Sequence, residues 1–314
     1  MKLSIIIPCK NEEGNTEKLY QEISKHLDKI KYEIIFIDDG STDKTMKELT
    51  ELYNKDLIHV KVISFSRNFK KEAAMLAGLR HATGEYTCII DGDLQQNPKY
   101  LSQMIEFLDE NEDYDEVAMV MEERAYETGF MKFCKNAFYN IMDKLSEIHI
   151  ENSASDFRMF RENVRNAIVS LAEKNRFSKG IFAWVGFNIK YLPYKVEPRE
   201  NGKSSFNFKT SLKYGLDGIL AFSTKPLKIA TTLGIISLLA FFIYLIVLLV
   251  QIFGFDLEMN AIYILILLLL LISGLQFLLI GIIGEYIAKT YIEVKDRPDY
   301  IIKEKLGFKE ESIL

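Results

Sequence analysis

The chain has 314 residues, with 39 Lys and Arg against 44 Asp and Glu and a formal net charge of −5. That is length for one sizeable domain and something more, and the mildly acidic balance argues against a nucleic-acid-binding protein. Three scattered cysteines, Cys9, Cys88 and Cys134, form no C-x-x-C pair and fit a reducing compartment rather than a disulfide framework, and the four histidines form no metal-like cluster.

Leu3–Ile7 is an apolar run that predicts a buried strand stopped by Pro8, and it is too short for the apolar core of a signal peptide. The polar loop Pro8-Cys9-Lys10-Asn11-Glu12-Glu13-Gly14-Asn15 leads into a helix with Leu19, Ile23 and Leu27 at helical spacing. Glu33–Ile37 predicts a second strand ended by Asp38-Asp39-Gly40-Ser41-Thr42-Asp43, where Thr42 or Asp43 suits the cap of a helix carrying Met46, Leu49 and Leu52. Val60–Phe65 predicts a third strand, Ser66-Arg67-Asn68-Phe69 a loop and Glu72–His81 a helix. Tyr86–Ile90 predicts a fourth strand, followed by Asp91-Gly92-Asp93-Leu94.

Strands alternating with helices at short intervals imply right-handed crossovers and a mostly parallel α/β sheet, and the near-continuous apolar strands agree because parallel strands are covered on both faces. Ligands of such sheets bind beyond the carboxyl ends of the strands. Asn11 to Glu13, Asp38, Asp39, Asp91 and Asp93 all fall there. Turn and cap chemistry explains Asp43 and Glu13 readily, but carboxylates crowded at one sheet edge repel unless a cation or a donor-rich ligand compensates. Asp91 and Asp93, two residues apart at a strand end, can lean to one side, with Gly92 letting the backbone turn and a ligand approach. Such a pair suits Mg2+ or Mn2+, completed by phosphate oxygens and water. There is no G-x-G-x-x-G after a strand and no G-x-x-x-x-G-K-[ST], which weakens dinucleotide and P-loop readings.

Further along, Pro98–Asn111 predicts a helix and Val117–Met121 a strand. Met131–Leu145 predicts a helix with an aromatic stripe of Phe130, Phe133, Phe138 and Tyr139, read as core or as a lipid-facing surface. Ser155-Asp156-Phe157-Arg158 reads as a turn into a helix, with Asp156 as an N-cap or a functional carboxylate and Arg158 pairing with it or with a ligand phosphate. Ile181–Val185 and Asn188–Tyr194 read as extended. The loop Pro198-Arg199-Glu200-Asn201-Gly202-Lys203-Ser204-Ser205 offers Arg199, Lys203 and Ser204 to an anion, or is an ordinary surface loop.

Phe208, Leu212, Leu216, Ile219 and Leu220 recur at helical spacing and predict an amphipathic helix on a membrane surface. Two nearly uncharged runs follow, at about 227–253 and 261–284, each long enough for a hydrocarbon core of roughly 30 Å at about 1.5 Å per residue. Lys225 and Lys228 before them, and Lys289, Lys295 and Arg297 after them, put both termini and the catalytic region in the cytoplasm by the positive-inside rule. The charged tail from Lys295 reads as loosely packed on the catalytic domain or the bilayer surface.

The ordered set Pro8-Cys9-Lys10-Asn11-Glu12-Glu13, Asp38-Asp39-Gly40-Ser41-Thr42-Asp43, Ser66-Arg67-Asn68, Asp91-Gly92-Asp93-Leu94-Gln95, Ser155-Asp156-Phe157-Arg158 and Arg199–Ser204 resembles family 2 glycosyltransferases of the dolichol-phosphate mannose synthase type. Within that type it is most similar to the bacterial bactoprenol (undecaprenyl phosphate) glucosyltransferase branch with two membrane spans, over essentially the whole chain. The resemblance implies a GT-A catalytic domain (Rossmann-like, mostly parallel, with flanking helices) over 1–205. An amphipathic juxtamembrane helix over 206–226, two transmembrane helices within 227–287 and a cytoplasmic tail over 288–314 would follow.

The resemblance further implies a nucleotide-diphosphate sugar donor, a Mg2+ or Mn2+ cofactor and a polyprenyl phosphate acceptor. Pro8, Asn11, Glu13 and Asp38 would line the nucleotide, with Asp39 and Ser41 beside them. Asp91 and Asp93 would hold the metal on the donor diphosphate. Asp156 would lie at the catalytic centre with Asp93 and Arg158, and Arg199 and Ser204 would hold phosphate from donor or acceptor. Three positions depart from the family pattern: Lys70 stands where Gly is frequent, Gln96-Asn97 replaces Asp-Pro, and Ser155 replaces Gly.

The expected activity is inverting transfer of a sugar, UDP-glucose being the first choice of donor and UDP-N-acetylglucosamine or GDP-mannose the alternatives. The acceptor would be undecaprenyl phosphate at the inner (plasma) membrane, and the product a lipid-linked donor for cell-envelope glycans. A second copy of the chain and a flippase for the product are further partners such a reaction admits. A processive polysaccharide synthase fits less well, because the only tryptophan, Trp184, is not in a Q-x-x-R-W motif. A non-catalytic membrane scaffold is the rival from another class.

Overall fold

Apolar residues alternate between two covers along the first strands, and this alternation builds the fold. The computed structural model describes residues 1–122, 151, 154–174, 176–197, the helical positions 239, 243, 246 and 250, and 261–308, without the side chains of part of 261–278. The expected helix over 131–145, the loop with Arg199, Lys203 and Ser204, the surface helix over 206–226 and most of the first expected span lie outside the described residues. The first half runs β1 (Leu3–Cys9), α1 (Thr16–His26), β2 (Tyr32–Asp38), α2 (Thr45–Lys55), β3 (Val60–Phe65), α3 (Lys71–His81), β4 (Tyr86–Ile89), α4 (Tyr100–Glu110) and β5 (Glu116–Met121). It continues with β6 (Ala154–Arg161), α5 (Glu162–Ser170), α6 (Ser178–Trp184), β7 (Ile189–Tyr194), α7 (Ala261–Val294) and β8 (Ile302–Leu306).

The eight strands form one sheet in the order β7-β5-β6-β4-β1-β2-β3-β8. Its centre, β4-β1-β2-β3, is parallel, as expected, and β7 is parallel to β5. β6 runs antiparallel between β4 and β5, and β8 antiparallel along β3. Ile5, Ile7, Ile34 and Phe36 face one cover, with Leu19 and Ile23 of α1 and Leu49 and Leu52 of α2. Ile6, Ile35, Ile37 and Ile63 face the other, with Ala74 and Ala77 of α3 and Val164 and Ile168 of α5. The chain is therefore an α/β protein with a Rossmann-like, mostly parallel sheet.

Four expectations need correction. Pro8 does not stop β1: it keeps register with Ile37, and Cys9 with Asp38, since a proline near a strand's end removes only one ladder donor. Asp156 is not a helix N-cap but lies inside β6, and the cap of α5 is Arg161. The segment Ile181–Val185 is not extended, because α6 covers its first four residues and buries Ile181 and Phe182 against the α3 side of the sheet.

The described part of the tail, up to Phe308, is not loosely packed either. β8 pairs with β3, Tyr300 stacks on Phe65 at 5.0 Å, and Asp299 accepts from Arg80 at 2.9 Å. Lys303, Glu304 and Lys305 along β8 give that edge of the sheet the charged character that blunts edge pairing.

Among the described residues no helix is long and apolar enough to cross a membrane. The second expected span falls on α7, a helix of 34 residues, about 51 Å long at about 1.5 Å per residue. Its carboxyl end is fixed to the sheet domain, where the Glu293 carboxylate accepts from the Lys174 amide at 2.9 Å and Lys174 pairs with Asp296 at 2.9 Å.

Two local features bear on stability. Arg158 is buried at 3% exposure and pairs with the fully buried Glu116 at 2.5 Å, tying β6 to β5. Burial pushes the Glu116 carboxyl up even with the guanidinium beside it. Lys70, just before α3, has φ 78° and ψ 164°, a region that only glycine enters without strain.

Glu116→Ala would leave a buried guanidinium without its counter-ion and should destabilise the protein by about 3–5 kcal/mol. Thermal unfolding of the full chain reads this, and an unchanged melting temperature would show that the pair contributes nothing. Lys70→Gly should do the reverse, relieving strain for a gain of about 1 kcal/mol and a higher melting temperature.

Candidate active site

The carboxyl ends of the parallel strands and the amino end of the antiparallel β6 meet at one edge. The β1 and β2 loops are stitched together there. The Asn11 amide donates to Ser41 Oγ at 3.0 Å, and Asn11 Oδ1 accepts the Thr42 N–H at 2.8 Å. Asp38 accepts the Ser41 N–H at 3.0 Å and the Ser64 hydroxyl at 2.9 Å. Asp39 accepts the Phe69 and Lys70 amides at 2.6 and 3.0 Å. Burial raises the Asp39 pKa, and these two amides only partly offset it. Glu13 pairs with Lys44 at 2.9 Å, and Asp43 receives the Thr45 N–H at 3.0 Å, although the N-cap position of α2 is Lys44, one residue after the expected Thr42 or Asp43. Asn11, Asp38, Asp39 and Ser41 thus shape a ledge through hydrogen bonds within the fold, with Pro8 in the strand beneath.

Beside this ledge, Lys71, the first residue of α3, reaches between two carboxylates. Its ammonium lies 2.6 Å from Asp91 and 2.7 Å from Asp156. β6 runs against β4 with Arg158 opposite Ile89, and this register sets Asp156 beside Asp91. Burial works against the charge on Lys71, but Asp156 and Asp91 outweigh it and raise its pKa. Burial likewise disfavours ionised Asp156, yet Lys71, then Lys179, hold its carboxyl well below the usual range. Burial raises Asp91 despite Lys71, with Asp156 and Asp93 adding like charge. Two neighbouring carboxylates are thereby pushed to opposite sides of their ordinary pKa.

Gln96 holds Asp91 from the other side, donating to Oδ2 and accepting the Asp91 N–H, both at 2.9 Å. It also reaches Ser155 Oγ at 3.3 Å, so two of the three departures from the family pattern meet behind one carboxylate. The Asp93 carboxylate accepts the Gln95 N–H at 3.1 Å. The turn after β4 is made not at Gly92 but at Leu94, which has φ 63°. A Cβ on Gly92 would meet only ordinary contacts from 3.4 Å outward, so space within the fold does not demand glycine there.

Arg158, an expected catalytic residue, is tied into the fold by two of its three guanidinium nitrogens. Its Nη1 donates to Glu116, its Nη2 to the Ser155 carbonyl at 3.1 Å, and its guanidinium lies 3.8 Å from the Phe182 ring centre. Its Nε and Oδ1 of Asp156 are among the five buried side-chain atoms without a hydrogen-bond partner among the described atoms, with Glu33 Oε2, Thr87 Oγ1 and Glu116 Oε2. Lys71 and Gln96 are the site residues that sequence reasoning passed over; a lysine heading a helix reads as surface, and a glutamine after an Asp-x-Asp reads as turn.

Among the described residues no three His, Cys, Asp or Glu side chains group as a metal cage. Mg2+ or Mn2+ needs less, since one or two carboxylates suffice when phosphate oxygens and water complete the shell. Asp91 and Asp93, near enough for their charges to act on each other, offer carboxylate oxygens of that kind.

The family model described as "Glycosyl transferase family 2" matches residues 4–168. The chain is 38% identical over 304 residues to CsbB of Bacillus subtilis, whose naming as a glycosyltransferase is itself provisional, covering 96% of this chain and 91% of the relative. It is 35% identical over 305 residues to a prophage bactoprenol glucosyl transferase homolog of Escherichia coli, covering 96% and 99%. In fold it is similar to glucosyl-3-phosphoglycerate synthase from Mycobacterium tuberculosis, solved with Mn2+, UDP-glucose and phosphoglyceric acid. That match has a TM-score of 0.50 at 18% identity and covers 70% of this chain and 77% of the other. With a parallel sheet whose acidic edge gathers Asp91, Asp93 and Asp156, and with these relatives along nearly its whole length, the chain belongs to glycosyl transferase family 2.

Proposed function

We propose that this glycosyltransferase moves a sugar from a nucleoside-diphosphate donor, UDP-glucose before UDP-N-acetylglucosamine or GDP-mannose, to undecaprenyl phosphate or a similar polyprenyl phosphate. The reaction takes place at the cytoplasmic face of the plasma membrane. The observation that carries this reading is the meeting of Asp91 and Asp156 on one cationic point at the strand tips. The near-full-length similarity to bactoprenol glucosyl transferases supports the lipid acceptor. The outward-facing Ile262, Leu265, Leu269, Leu271 and Ile280 of α7, each 62–67% exposed, support membrane burial of that helix, at about 1.5–3 kcal/mol per side chain.

The ledge of Asn11, Glu13, Asp38, Asp39 and Ser41 receives the nucleotide, and Asp91 and Asp93 would hold a divalent cation against the donor diphosphate. When bound, that cation supplies the positive charge that offsets the departing nucleotide. The acceptor phosphate is already largely anionic near neutral pH, with a second pKa of about 6 by analogy with phosphorylated side chains, so little base strength is needed. Asp156, held ionised by Lys71, is a poor proton acceptor. Its work is to orient Lys71 and to face the sugar carbon, whose configuration inverts in a direct displacement. Arg199 and Ser204 are proposed to hold phosphate from the loop over 198–205.

Incubating the membrane-embedded protein with a panel of nucleotide sugars and undecaprenyl phosphate, then weighing the lipid product, should show a mass gain of one hexose with UDP-glucose. No lipid-linked product with any donor would leave the scaffold reading in its place. Asp91→Asn and Asp93→Asn should each lower transfer by at least about a hundredfold, and a chelator should abolish wild-type transfer until Mn2+ or Mg2+ is returned. Full turnover in chelator would remove the cation from the mechanism.

A further inference from the structure

A small open groove lies between β6, α6 and β7, lined by Ala154, Arg158, Lys179, Phe182, Ala183 and Tyr191 among others, with Asp156 near enough to act on the charge of Lys179. Two of its polar groups lack partners among the described residues. Arg158 is nine-tenths buried and its Nε makes no hydrogen bond. Lys179 has no ion pair or hydrogen bond, although Asp156, Arg158 and Lys71 all lie near enough to act on its charge. Burial, with Arg158 and Lys71 adding like charge, lowers its pKa against the pull of Asp156. An ammonium and a guanidinium edge held side by side and partly desolvated make a receptor for a compact dianion, because an anion would satisfy both at once.

The surroundings favour one source of that anion. Tyr191, which lines the groove from β7, is 42% exposed, and Trp184, next in the chain to the lining Ala183, is 56% exposed, aromatic surface suited to a chain that enters from an apolar phase. We propose that Lys179 and the Arg158 Nε bind a phosphate monoester, that of a polyprenyl phosphate acceptor, and set its oxygen beside Asp156. The proposal deepens the function proposed above and rests on its acceptor being a phosphate. It also separates two anion sites: the donor diphosphate at Asp91 and Asp93, and the acceptor phosphate at Lys179, with Lys71 and Asp156 between them.

The test uses the full chain in lipid nanodiscs, without donor, and calorimetric titration with farnesyl monophosphate, inorganic phosphate and UDP. Lys179→Met should weaken farnesyl phosphate binding roughly tenfold or more, the loss expected for one charge-assisted hydrogen bond, while UDP affinity stays unchanged and reports an intact fold. In turnover the same variant should raise KM for undecaprenyl phosphate and leave KM for the sugar donor unchanged, and Lys179→Arg should recover most of the loss. Unchanged farnesyl phosphate affinity in Lys179→Met, or an equal loss of UDP affinity, overturns the site. Inorganic phosphate binding as tightly as farnesyl phosphate overturns the lipid source. Farnesyl phosphate binding that depends on Lys179, in a protein that transfers no sugar, would uphold this site and defeat the function proposed above.

Discussion

Like charge gathered at one edge of a sheet is the constraint the rest of this molecule answers. Parallel strands deliver their carboxyl ends, and whatever follows them, to the same place. Two carboxylates about 4 Å apart repel by about 4 kcal/mol at the effective dielectric of a partly buried protein site, comparable with a large part of a domain's net stability. Each acidic group here has its own remedy. Asp38 and Asp39 spend their charge on amides and hydroxyls of adjoining loops, Glu13 on Lys44, and Asp91 and Asp156 on the ammonium they share. Only that last remedy is one ammonium shared by two carboxylates, so a ligand that draws on either carboxylate there changes the charge balance of both.

The position of Lys71 explains two oddities around it. Lys70 bears a glycine-like backbone because the chain must turn sharply out of the Asp39-bound loop and straight into α3. Strain of this kind persists where its surroundings over-determine it, and it clusters at functional sites. Gln96 and Ser155, which look like mere departures from a family pattern, are the polar backing that keeps Asp91 from rotating away from the ammonium. The acidic motif and its support are therefore read best as one unit.

Much of the parallel half was legible because its signals are local. Ile5, Ile6 and Ile7 show both covers in three residues, and the aspartates after β2 and β4 fall where a parallel sheet must bind. The failures share a cause. β6 is a strand only because β4 and β5 flank it, and Ser155-Asp156-Phe157-Arg158 alone looks like a helix start. β8 is five residues with three charges, and nothing in Ile302–Leu306 announces a partner some 240 residues earlier in the chain. That Arg158 also ties β6 to β5 was hidden for the same reason, because a buried partner such as Glu116, 42 residues away, leaves no mark in the residues beside it. Long-range pairing decides these cases, and periodicity does not report it.

The return of the chain to the sheet through β8 has an architectural meaning. The apolar stretches are an excursion that leaves the catalytic body after β7 and comes home to its opposite edge, so they are an insertion and not an appendage. A fragment cut before them would lose the strand that finishes the sheet, baring the backbone groups of β3. β7 and β8, at opposite edges of the sheet, are thus the two separated points to which those stretches are tied, as a bridge deck is hung from both of its towers.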